Sequence, residues 1–335
     1  MSNKRVISTK AKSAELRTEK IPTLKNEKEV LVEIKAAGIC GSDLHYYRHG
    51  GLGSFKASMP MHVGHEPAGI IIKSNSKIFN VNDRVAIEPA NPDLSDEWCL
   101  NGRHNLASGT FMGANSEGCM TNYMLVHENQ CVNIPDNMSY EAASLLEPIA
   151  VALHAINRGK ITYRDSVSIV GVGAIGLCIL LCLKKIGVKN VQCVDPLDYR
   201  RKKALELGAN KIISSADFRK LDKTNVSIDA CGNDESINIS TILCEVGGRL
   251  LIVGIPESDY ISINPHILRT REIDILNIRR SDRTLHDSLT LFADTPELLE
   301  SLITHKFKLK DCNKAFQIAS SYSDNIIKGV FNPSH

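Results

Sequence analysis

Two short segments of the sequence carry the residue types that bind metal ions in enzymes. Residues 38–47 read GICGSDLHYY and contain Cys40, and residues 61–69 read MHVGHEPAG and contain His65 and Glu66. A thiolate, an imidazole and a carboxylate are the sulfur, nitrogen and oxygen ligands that a tetrahedral catalytic zinc uses. Because a histidine next to a glutamate is common at protein surfaces, the interpretation as a zinc site depends on combining this pair with Cys40.

A third segment places a carboxylate in apolar surroundings. Residues 144–155 read SLLEPIAVALHA, so that Glu147 lies inside an otherwise apolar helical stretch. Burying a carboxylate there costs free energy unless it binds a cation or hydrogen-bonds a bound water. We therefore expect Glu147 to be a fourth zinc ligand or the partner of a zinc-bound water. His154, on the same stretch, is expected to be a hydrogen-bonded core residue.

A glycine-rich segment indicates a second kind of site. Residues 171–176 read GVGAIG, and such a string is weak by itself because glycine-rich turns are common. Here it follows the apolar strand SVSIV, opens a helix and precedes a strand that ends at Asp195, about 20 residues on. The glycines let a pyrophosphate approach the helix N-terminus, and the carboxylate can accept hydrogen bonds from ribose hydroxyls. The predicted dinucleotide-binding residues are Gly171, Gly173, Ala174, Ile175, Gly176, Asp195, Arg200, Val253 and Gly254.

Asp195 also bears on which dinucleotide binds. Its negative charge would repel the additional phosphate of NADP, whereas Arg200 and Arg201 on the next turn could favour that phosphate. With the aspartate in place we predict NAD. The alternative is that Asp195 only begins the turn DPLD, which its spacing from the glycines disfavours.

The elements that must position these residues follow from the hydrophobic pattern. From Val30 to about Val132, short alternating strands are separated by Gly, Pro and Asn, which predicts a mainly β domain. From Ser166, buried apolar strands alternate with helices, as in a doubly wound parallel sheet. The remaining tail, with helices expected around 284–304 and 311–321, is too small for its own core, so we expect it to pack on the first domain.

Composition excludes several classes of partner. With 335 residues, of which 43% are hydrophobic, the chain is long enough for two domains. Lys and Arg number 40 against 38 Asp and Glu, a net charge of +2, which gives no electrostatic footprint for nucleic acid. No apolar run approaches the roughly 18 residues that span a bilayer, and residues 1–13 lack the apolar region typical of a signal peptide, so we expect neither a membrane span nor a signal peptide. The ten cysteines suggest no disulfide framework, so a cytoplasmic location is expected.

These motifs together resemble the zinc-dependent medium-chain dehydrogenases, in the branch of sorbitol, xylitol and L-idonate dehydrogenases. The resemblance extends over nearly the whole chain through GICGSDLHYY, HGGLGSF, GHEPAG, DRVAIEP, LLEPIAVALHA, GVGAIG and the later IRR. It implies an α/β fold with a GroES-like, mainly β catalytic domain (1–151), a Rossmann doubly wound parallel sheet (152–279) and a return to the catalytic domain (280–335). It also implies a homodimer or homotetramer formed through the edge of the Rossmann sheet, for which DYISI (259–263) is the expected edge strand.

The resemblance assigns roles around one catalytic zinc per chain. By this resemblance Cys40, His65 and Glu66 bind the zinc together with a water, and Glu147 lies beside that water or binds the metal. Asp43 would hold the histidine ligand in its tautomer.

Further roles concern the proton and the substrate. By the same resemblance, Ser42 and His45 form a proton relay that leads from the substrate alkoxide through the nicotinamide ribose to solvent. Tyr46 and Arg280 match positions that contact a polyol. The alternative for Arg280 is that, with Arg279, it only caps the last strand or touches the cofactor.

One segment departs from the family pattern. Many relatives carry four cysteines for a structural zinc where residues 92–107 read PDLSDEWCLNGRHNLA. The corresponding positions here are Asp93, Asp96, Cys99 and Ala107, which leaves one thiolate. Structural zinc sites almost always use several thiolates, and an alanine cannot ligate, so we predict that this lobe holds no metal.

The implied reaction is the reversible oxidation of a secondary alcohol of a polyol or sugar acid, giving a ketose or keto acid, with hydride transfer to NAD. Ser281 stands where sorbitol dehydrogenases often carry tyrosine, and residues 110–118, TFMGANSEG, look more like their counterpart in L-idonate dehydrogenases. Arg280 could then pair with a sugar-acid carboxylate or a phosphate. The alternatives are an L-threonine or aminocyclitol dehydrogenase on the same scaffold, or a non-catalytic relative that only binds the nucleotide.

Overall fold

The computed structural model of the protein describes residues 2–333. The chain divides into two compact units, one made of residues up to Glu147 together with those from Leu285 onward, and the other of Pro148–Thr284. The domain limits expected from the sequence, at 151/152 and 279/280, stay a prediction. Among the described residues no helix is both long enough and apolar enough to cross a membrane.

The first part of the chain is built mainly from strands. These are β1 (Asn3–Ser8), β2 (Glu15–Glu19), β3 (Glu29–Gly38), β4 (Gly51–Leu52), β5 (Phe55–Lys56), β6 (Met61–His62), β7 (Glu66–Ser74), β8 (Arg84–Ile87), β9 (Ala90–Pro92), β10 (Gly109–Phe111), β11 (Tyr123–His127) and β12 (Cys131–Asn133). Its helices are α1 (Gly41–His49), α2 (Glu97–Leu100) and α3 (Tyr140–Ser144), and α4 (Leu146–Arg158) leads into the second unit.

The second unit and the tail complete the set of elements. The second unit contains β13 (Ser166–Val170), α5 (Ala174–Lys185), β14 (Asn190–Val194), α6 (Asp198–Glu206), β15 (Lys211–Ile213), β16 (Thr224–Asp229), α7 (Asp234–Leu243), β17 (Cys244–Ile252), α8 (Pro265–Arg271) and β18 (Asp274–Asn277). The tail contains α9 (Leu285–Phe292), α10 (Pro296–Glu300), β19 (Ile303–Phe307), α11 (Cys312–Ser321) and β20 (Lys328–Phe331).

The core sheet of the first unit brings the tail back to the strands near the N-terminus. It is seven-stranded, with the order β12-β8-β7-β3-β20-β19, and β11 also pairs with β3. Strand β3 pairs antiparallel with both β7 and β20, so that Gly38 is the register partner of Glu66 and of Val330. The apolar residues of these strands pack into one core with Phe316 and Phe331. Three segments that are far apart in sequence therefore meet at the end of β3.

Helix α1 carries several of the predicted site residues. It begins at Gly41 and ends at His49. Gly41 occupies the first helical position, and the Asp43 carboxylate accepts the backbone N–H of Cys40 at 3.0 Å, which caps the N-terminus. Gly50 then ends the helix with φ +67°, in the left-handed region that glycine adopts readily.

The tail forms its helices within the expected ranges, with α9 and α10 inside 284–304 and α11 inside 311–321. Pro296 begins α10, at a position where a missing N–H is tolerated. The chain then forms strand β19, which runs parallel to β20. Ile303 and Thr304 are β-branched and favour the strand.

The second unit is a parallel sheet. Its six strands have the order β15-β14-β13-β16-β17-β18, and every pairing is parallel. This order reverses at β13, as in a dinucleotide-binding Rossmann fold. The prediction of a strand at residues 259–263 was wrong, since these described residues form no strand and the edges of the sheet are β15 and β18. Ile261 and Ile263 instead pack against a small apolar cluster that includes Ile237 and Leu250.

Candidate active site

The first unit brings the three predicted zinc ligands together. The ligand atoms of Cys40, His65 and Glu66 all lie within 4.8 Å of one another. His65 and Glu66 are buried and Cys40 is partly exposed. The sheet register explains the meeting, because Gly38 pairs with Glu66, so that Cys40 lies just beyond the end of β3, beside the first residue of β7.

Asp43 connects the two ligand segments. Its Oδ2 accepts the N–H of Cys40 at 3.0 Å and its Oδ1 accepts the N–H of Gly64 at 3.2 Å. The same Oδ1 lies 3.6 Å from Nδ1 of His65. A buried carboxylate in this position fixes the orientation and tautomer of an imidazole ligand.

The charge at the site favours a cation. Burial alone would lower the pKa of His65, but the negative charges of Cys40 and Asp43 raise it well above its usual range. Without a metal, the buried imidazole would therefore take up a proton, which shows that this cluster attracts positive charge.

Glu66 has two buried carboxylate oxygens, of which one has an ion-pair partner. Within the described part of the chain, neither oxygen has a hydrogen-bond partner. Its Oε2 forms an ion pair with Nζ of Lys328, a buried lysine that the sequence reasoning missed. A buried carboxylate oxygen without a partner is costly. The orphaned oxygen and the mixed S, N, O donor set both fit a zinc ion with an open position, as in catalytic sites.

Glu147 lies near the ligand cluster without being part of it. It is not among the three residues whose ligand atoms lie within 4.8 Å of one another. Burial raises its pKa to about 8; the positive charge of His65 opposes this rise and the negative charge of Glu66 adds to it. A carboxyl group with such a pKa is protonated at neutral pH and can exchange a proton with water.

The other predicted residues of the segment lie on α1. Ser42 and His45 are partly exposed, while Tyr46 is buried. On a helix, residues three or four positions apart share a face, so Ser42 lies on the same side as both His45 and Tyr46. Their roles in proton transfer and substrate contact stay predictions.

Cys119 is another residue beside the ligands that sequence reasoning missed. Its N–H donates to the carbonyl of Gly64 at 2.9 Å. Its thiol lies in contact distance of Gly64, where an added Cβ would come within 3.0 Å of Sγ. Burial raises the pKa of this thiol far above its usual value, so Cys119 packs as a neutral group.

In the lobe of residues 92–107, two of the positions that carry cysteine in many relatives are occupied by hydrogen-bonded aspartates. Asp93 accepts the N–H and the hydroxyl of Ser95 at 2.9 and 2.7 Å. Asp96 caps α2 through the N–H of Trp98 at 2.9 Å and accepts the N–H and hydroxyl of Ser108 at 3.0 and 2.8 Å. Both carboxylates are therefore engaged in hydrogen bonds with nearby backbone N–H groups and serine hydroxyls.

The second unit forms the glycine-rich turn. Gly171 follows β13 with φ +91°, and α5 begins three residues later at Ala174. A Cβ at Gly176 would lie 2.0 Å from the carbonyl oxygen of Gly171, so only glycine fits between the turn and the helix. Such packing leaves the helix N-terminus accessible to a pyrophosphate.

Asp195 fixes the end of β14 beside this turn. Its Oδ2 accepts the N–H of Val172 at 2.9 Å and its Oδ1 accepts the N–H of Leu197 at 2.8 Å. Nη1 of Arg200 lies 3.9 Å from Oδ2.

The remaining predicted residues of this unit lie after β17 and β18. The N–H groups of Val253 and Gly254 donate to the carbonyl of Asp229 at 2.9 and 3.1 Å. Arg280 is partly exposed, with φ +57°, while Arg279 is exposed.

Comparison with known proteins identifies the family. An alcohol dehydrogenase GroES-like domain matches residues 26–136, and a zinc-binding dehydrogenase domain matches residues 174–295. Sorbitol dehydrogenase of Bos taurus is 34% identical over 304 residues, which cover 86% of this chain and 85% of the relative. The chain belongs to the zinc-binding dehydrogenases. D-xylulose reductase of Saccharomyces cerevisiae is 31% identical over 328 residues, which cover 92% of each chain.

A solved structure agrees with the fold of this dehydrogenase. The structure of an alcohol dehydrogenase from Escherichia coli CFT073, which contains the cofactor NADH, superposes with a TM-score of 0.89 at 26% identity. It covers 99% of this chain, and 100% of its own length is matched. The predicted family and the α/β class with a GroES-like domain and a parallel Rossmann sheet are confirmed. The prediction of zinc and a nicotinamide dinucleotide as cofactors is confirmed for the family of zinc-binding dehydrogenases.

Proposed function

We propose that this dehydrogenase oxidises a secondary alcohol of a polyol or sugar acid to a ketose or keto acid, with NAD as the hydride acceptor. The observation that carries the proposal is the convergence of Cys40, His65 and Glu66, whose ligand atoms lie within 4.8 Å of one another. The relatives named sorbitol dehydrogenase and D-xylulose reductase support a polyhydroxy substrate.

The ligands and their neighbours prepare the site for the metal. When bound, zinc supplies the Lewis acidity that lowers the pKa of an alcohol, and NAD supplies the hydride acceptor. Cys40, His65 and Glu66 would hold the metal, because three protein ligands leave a position for substrate or water. Asp43 orients His65 through the 3.6 Å contact to Nδ1, which keeps Nε2 available as the ligand atom.

Three side chains would hold and move the proton of the alcohol. The Ser42 hydroxyl and the His45 imidazole, on one face of α1, would pass it towards solvent, and both are partly exposed. Burial raises the pKa of Glu147 to about 8. Its carboxyl group would therefore exchange protons with a water near the ligands at neutral pH.

Selectivity for NAD would come from Asp195. Two backbone N–H groups hold its carboxylate in place at the end of β14, where a negative charge disfavours the additional phosphate of NADP. Arg200 lies 3.9 Å from this carboxylate, so we expect selectivity for NAD to be incomplete.

Substrate contacts are proposed at Tyr46 and Arg280. The Tyr46 hydroxyl can donate to and accept from a polyol hydroxyl. Arg280 can bind a sugar-acid carboxylate with two parallel hydrogen bonds. Ser281, in place of a tyrosine, supports an acidic substrate over sorbitol itself.

The assembly and location complete the proposal. The homodimer or homotetramer remains a prediction, for which the edge strands β15 and β18 are the candidates for sheet pairing. None of the ten cysteines, all of which lie in the described chain, forms a disulfide, which supports the proposed cytoplasmic location.

A substrate panel tests the proposal. Polyols, aldonates and amino alcohols are each supplied with NAD and with NADP, and reduction of the nicotinamide is followed by absorbance. We expect turnover of a polyhydroxy substrate with NAD preferred, and loss of turnover in Cys40→Ser. The matched control is Cys99→Ser in the lobe, which should retain activity. Turnover of amino alcohols alone, or an active Cys40→Ser enzyme, would contradict the proposal.

A further inference from the structure

Lys328 is a buried lysine that joins the two segments carrying the metal ligands. Its side chain is 2% exposed, and Nζ forms an ion pair with Oε2 of Glu66, whose side chain is 1% exposed. The same Nζ donates to the carbonyl of Ile39 at 2.9 Å, and Ile39 immediately precedes Cys40. Lys328 is the first residue of β20, so the returning tail supplies this contact.

The two oxygens of Glu66 have different surroundings. Oε2 is held by Lys328 and lies over Gly38, where an added Cβ would come within 1.8 Å of that oxygen. Neither oxygen has a hydrogen-bond partner in the described chain, and no ion pair is found there for Oε1. Glycine at position 38 thus makes the room that Oε2 needs beside the lysine. The carboxylate is held in one orientation, with Oε1 left for the metal.

This difference matters because a carboxylate can bind a cation through one oxygen or through both. A catalytic zinc with three protein ligands keeps a position open for the substrate. If Glu66 bound through both oxygens, its second oxygen would fill that position.

We propose that Lys328 is a positioning residue that restricts Glu66 to one-oxygen binding and so keeps the substrate position of the zinc open. This inference rests on the proposed zinc ligands. It concerns a side chain on the last strand of the first unit, remote in sequence from all three ligands.

Removing the lysine should strengthen the hold on zinc for two reasons. Without Lys328, Oε2 is released and can join Oε1 at the metal. The loss of a buried positive charge near the site also removes repulsion of the dication. In the metal-free protein, by contrast, Glu66 would become a buried charge without a partner, which destabilises the fold.

Zinc release tests the inference directly. The variants Lys328→Met and Lys328→Arg are loaded with zinc, and transfer of the metal to a coloured chelator is followed over time. We expect release from Lys328→Met to be slower by about 10-fold or more, the scale of effect that outer groups have on metal affinity. Lys328→Arg keeps the charge and a donor, so its release should resemble that of the unmodified protein. The matched control is Lys306→Met, which removes a lysine from the neighbouring strand, where it pairs with Glu141.

Cobalt substitution supplies a spectroscopic reading of the same site. If Glu66 binds through both oxygens, a carboxylate oxygen replaces the water in the fourth position, and this exchange of ligand shifts the visible absorption bands of Co²⁺. We expect shifted bands in Lys328→Met and unchanged bands in Lys328→Arg. In the double variant Glu66→Gln with Lys328→Met, the lysine substitution should have no further effect, because its action passes through the carboxylate.

The outcomes separate the inference from the proposed function. If the unmodified protein binds zinc but Lys328→Met releases it as fast as the unmodified protein, with unchanged cobalt bands, the inference is overturned alone. If the unmodified protein binds no zinc, the proposed function fails and the inference with it. Should Lys328→Met fail to fold, Lys328→Gln, which also removes the charge, is measured with the same expected slowing.

Discussion

At the scale of single residues, the site is organised by charge. The cluster is mostly buried and contains the acidic side chains of Cys40, Asp43 and Glu66. Their negative charge is compensated by the ion pair of Glu66 with Lys328 and by the raised pKa of His65. Each charged side chain contacts a neighbour that fixes its direction. The geometry is therefore set before a metal binds, which is the usual condition for a precise ligand arrangement.

Asp43 provides the first prediction at this scale. The change Asp43→Asn removes the negative charge that orients His65 and weakens the acceptors for Cys40 and Gly64 N–H. We expect zinc affinity to fall by roughly 10- to 100-fold, measured by competition with a chelator. Asp93→Asn, which alters a carboxylate in the lobe, serves as the control and should leave affinity unchanged. Equal affinity in Asp43→Asn and the control would refute the orienting role.

The sequence supports part of this site and not the rest. The roles of Cys40, His65 and Glu66 as zinc ligands could be predicted from residue type, because their side chains supply sulfur, nitrogen and oxygen donors in two short segments that contain glycines. Lys328 could have been suspected, since a lysine between apolar strand residues needs an acidic partner when buried. The identity of that partner could not be predicted, because it depends on the register of β20 and β7 against β3.

At the scale of elements, the returning tail stabilises the first unit. Glu141 on α3 contacts both Lys306 on β19 and Asn332, which follows β20. Burial would raise the pKa of Glu141, but the hydrogen bonds from Lys306 and Asn332 lower it below its ordinary value of 4.5. The helix is thereby tied to the two strands that the tail contributes.

This contact gives a pH-dependent prediction. A lowered pKa adds stability above the ordinary value, and that stability is lost as pH falls through the folded value. We expect Glu141→Gln to reduce the free energy of unfolding by about 1 kcal/mol at neutral pH. The difference should shrink as the pH falls below 4.5, as measured by urea unfolding. Glu206→Gln, which breaks an exposed ion pair with Lys203, should change stability little. A loss that stays constant into acid would argue against the ionic origin.

Elements were predicted unevenly for physical reasons. The strand, glycine turn and helix around 171–176 were predictable because apolar runs and glycines leave few alternatives. Helix α1 was not predicted, because Gly38 and Gly41 lie close to its start, although Gly41 occupies the first helical position, where a glycine does little harm. The strand predicted at 259–263 was wrong, because its alternating isoleucines pack on an apolar cluster instead of pairing with a strand.

At the scale of the whole molecule, the two units divide the chemistry. The first contains the proposed metal ligands, and the second contains the glycine-rich turn and Asp195. The mainly β fold of the first unit and the parallel sheet of the second could both be predicted, because each needs its own core and therefore leaves its own pattern of apolar residues in the sequence. Substrate identity and assembly could not be predicted, because they depend on a few side chains and on surfaces that share no simple pattern.

This division predicts the effect of removing the metal. Without zinc, the folded protein loses the stabilisation that metal binding adds, so the melting temperature should fall and recover when zinc returns. The affinity for the dinucleotide, measured by NADH fluorescence, should change by less than about threefold, because the predicted dinucleotide-binding residues belong to the other unit. A tenfold change would require a change of about 1.4 kcal/mol in the free energy of binding. A chelated protein that melts unchanged, or that no longer binds NADH, would contradict this expectation.

The central claim is that the protein keeps one reactive zinc at Cys40, His65 and Glu66 and holds none in the lobe of residues 92–107. The most direct test is the zinc content per chain of carefully handled protein, by elemental analysis, beside that of Cys40→Ser. We predict about one zinc per chain in the unmodified protein and little in Cys40→Ser. No zinc in the unmodified protein, two per chain, or full zinc retained by Cys40→Ser would contradict the claim.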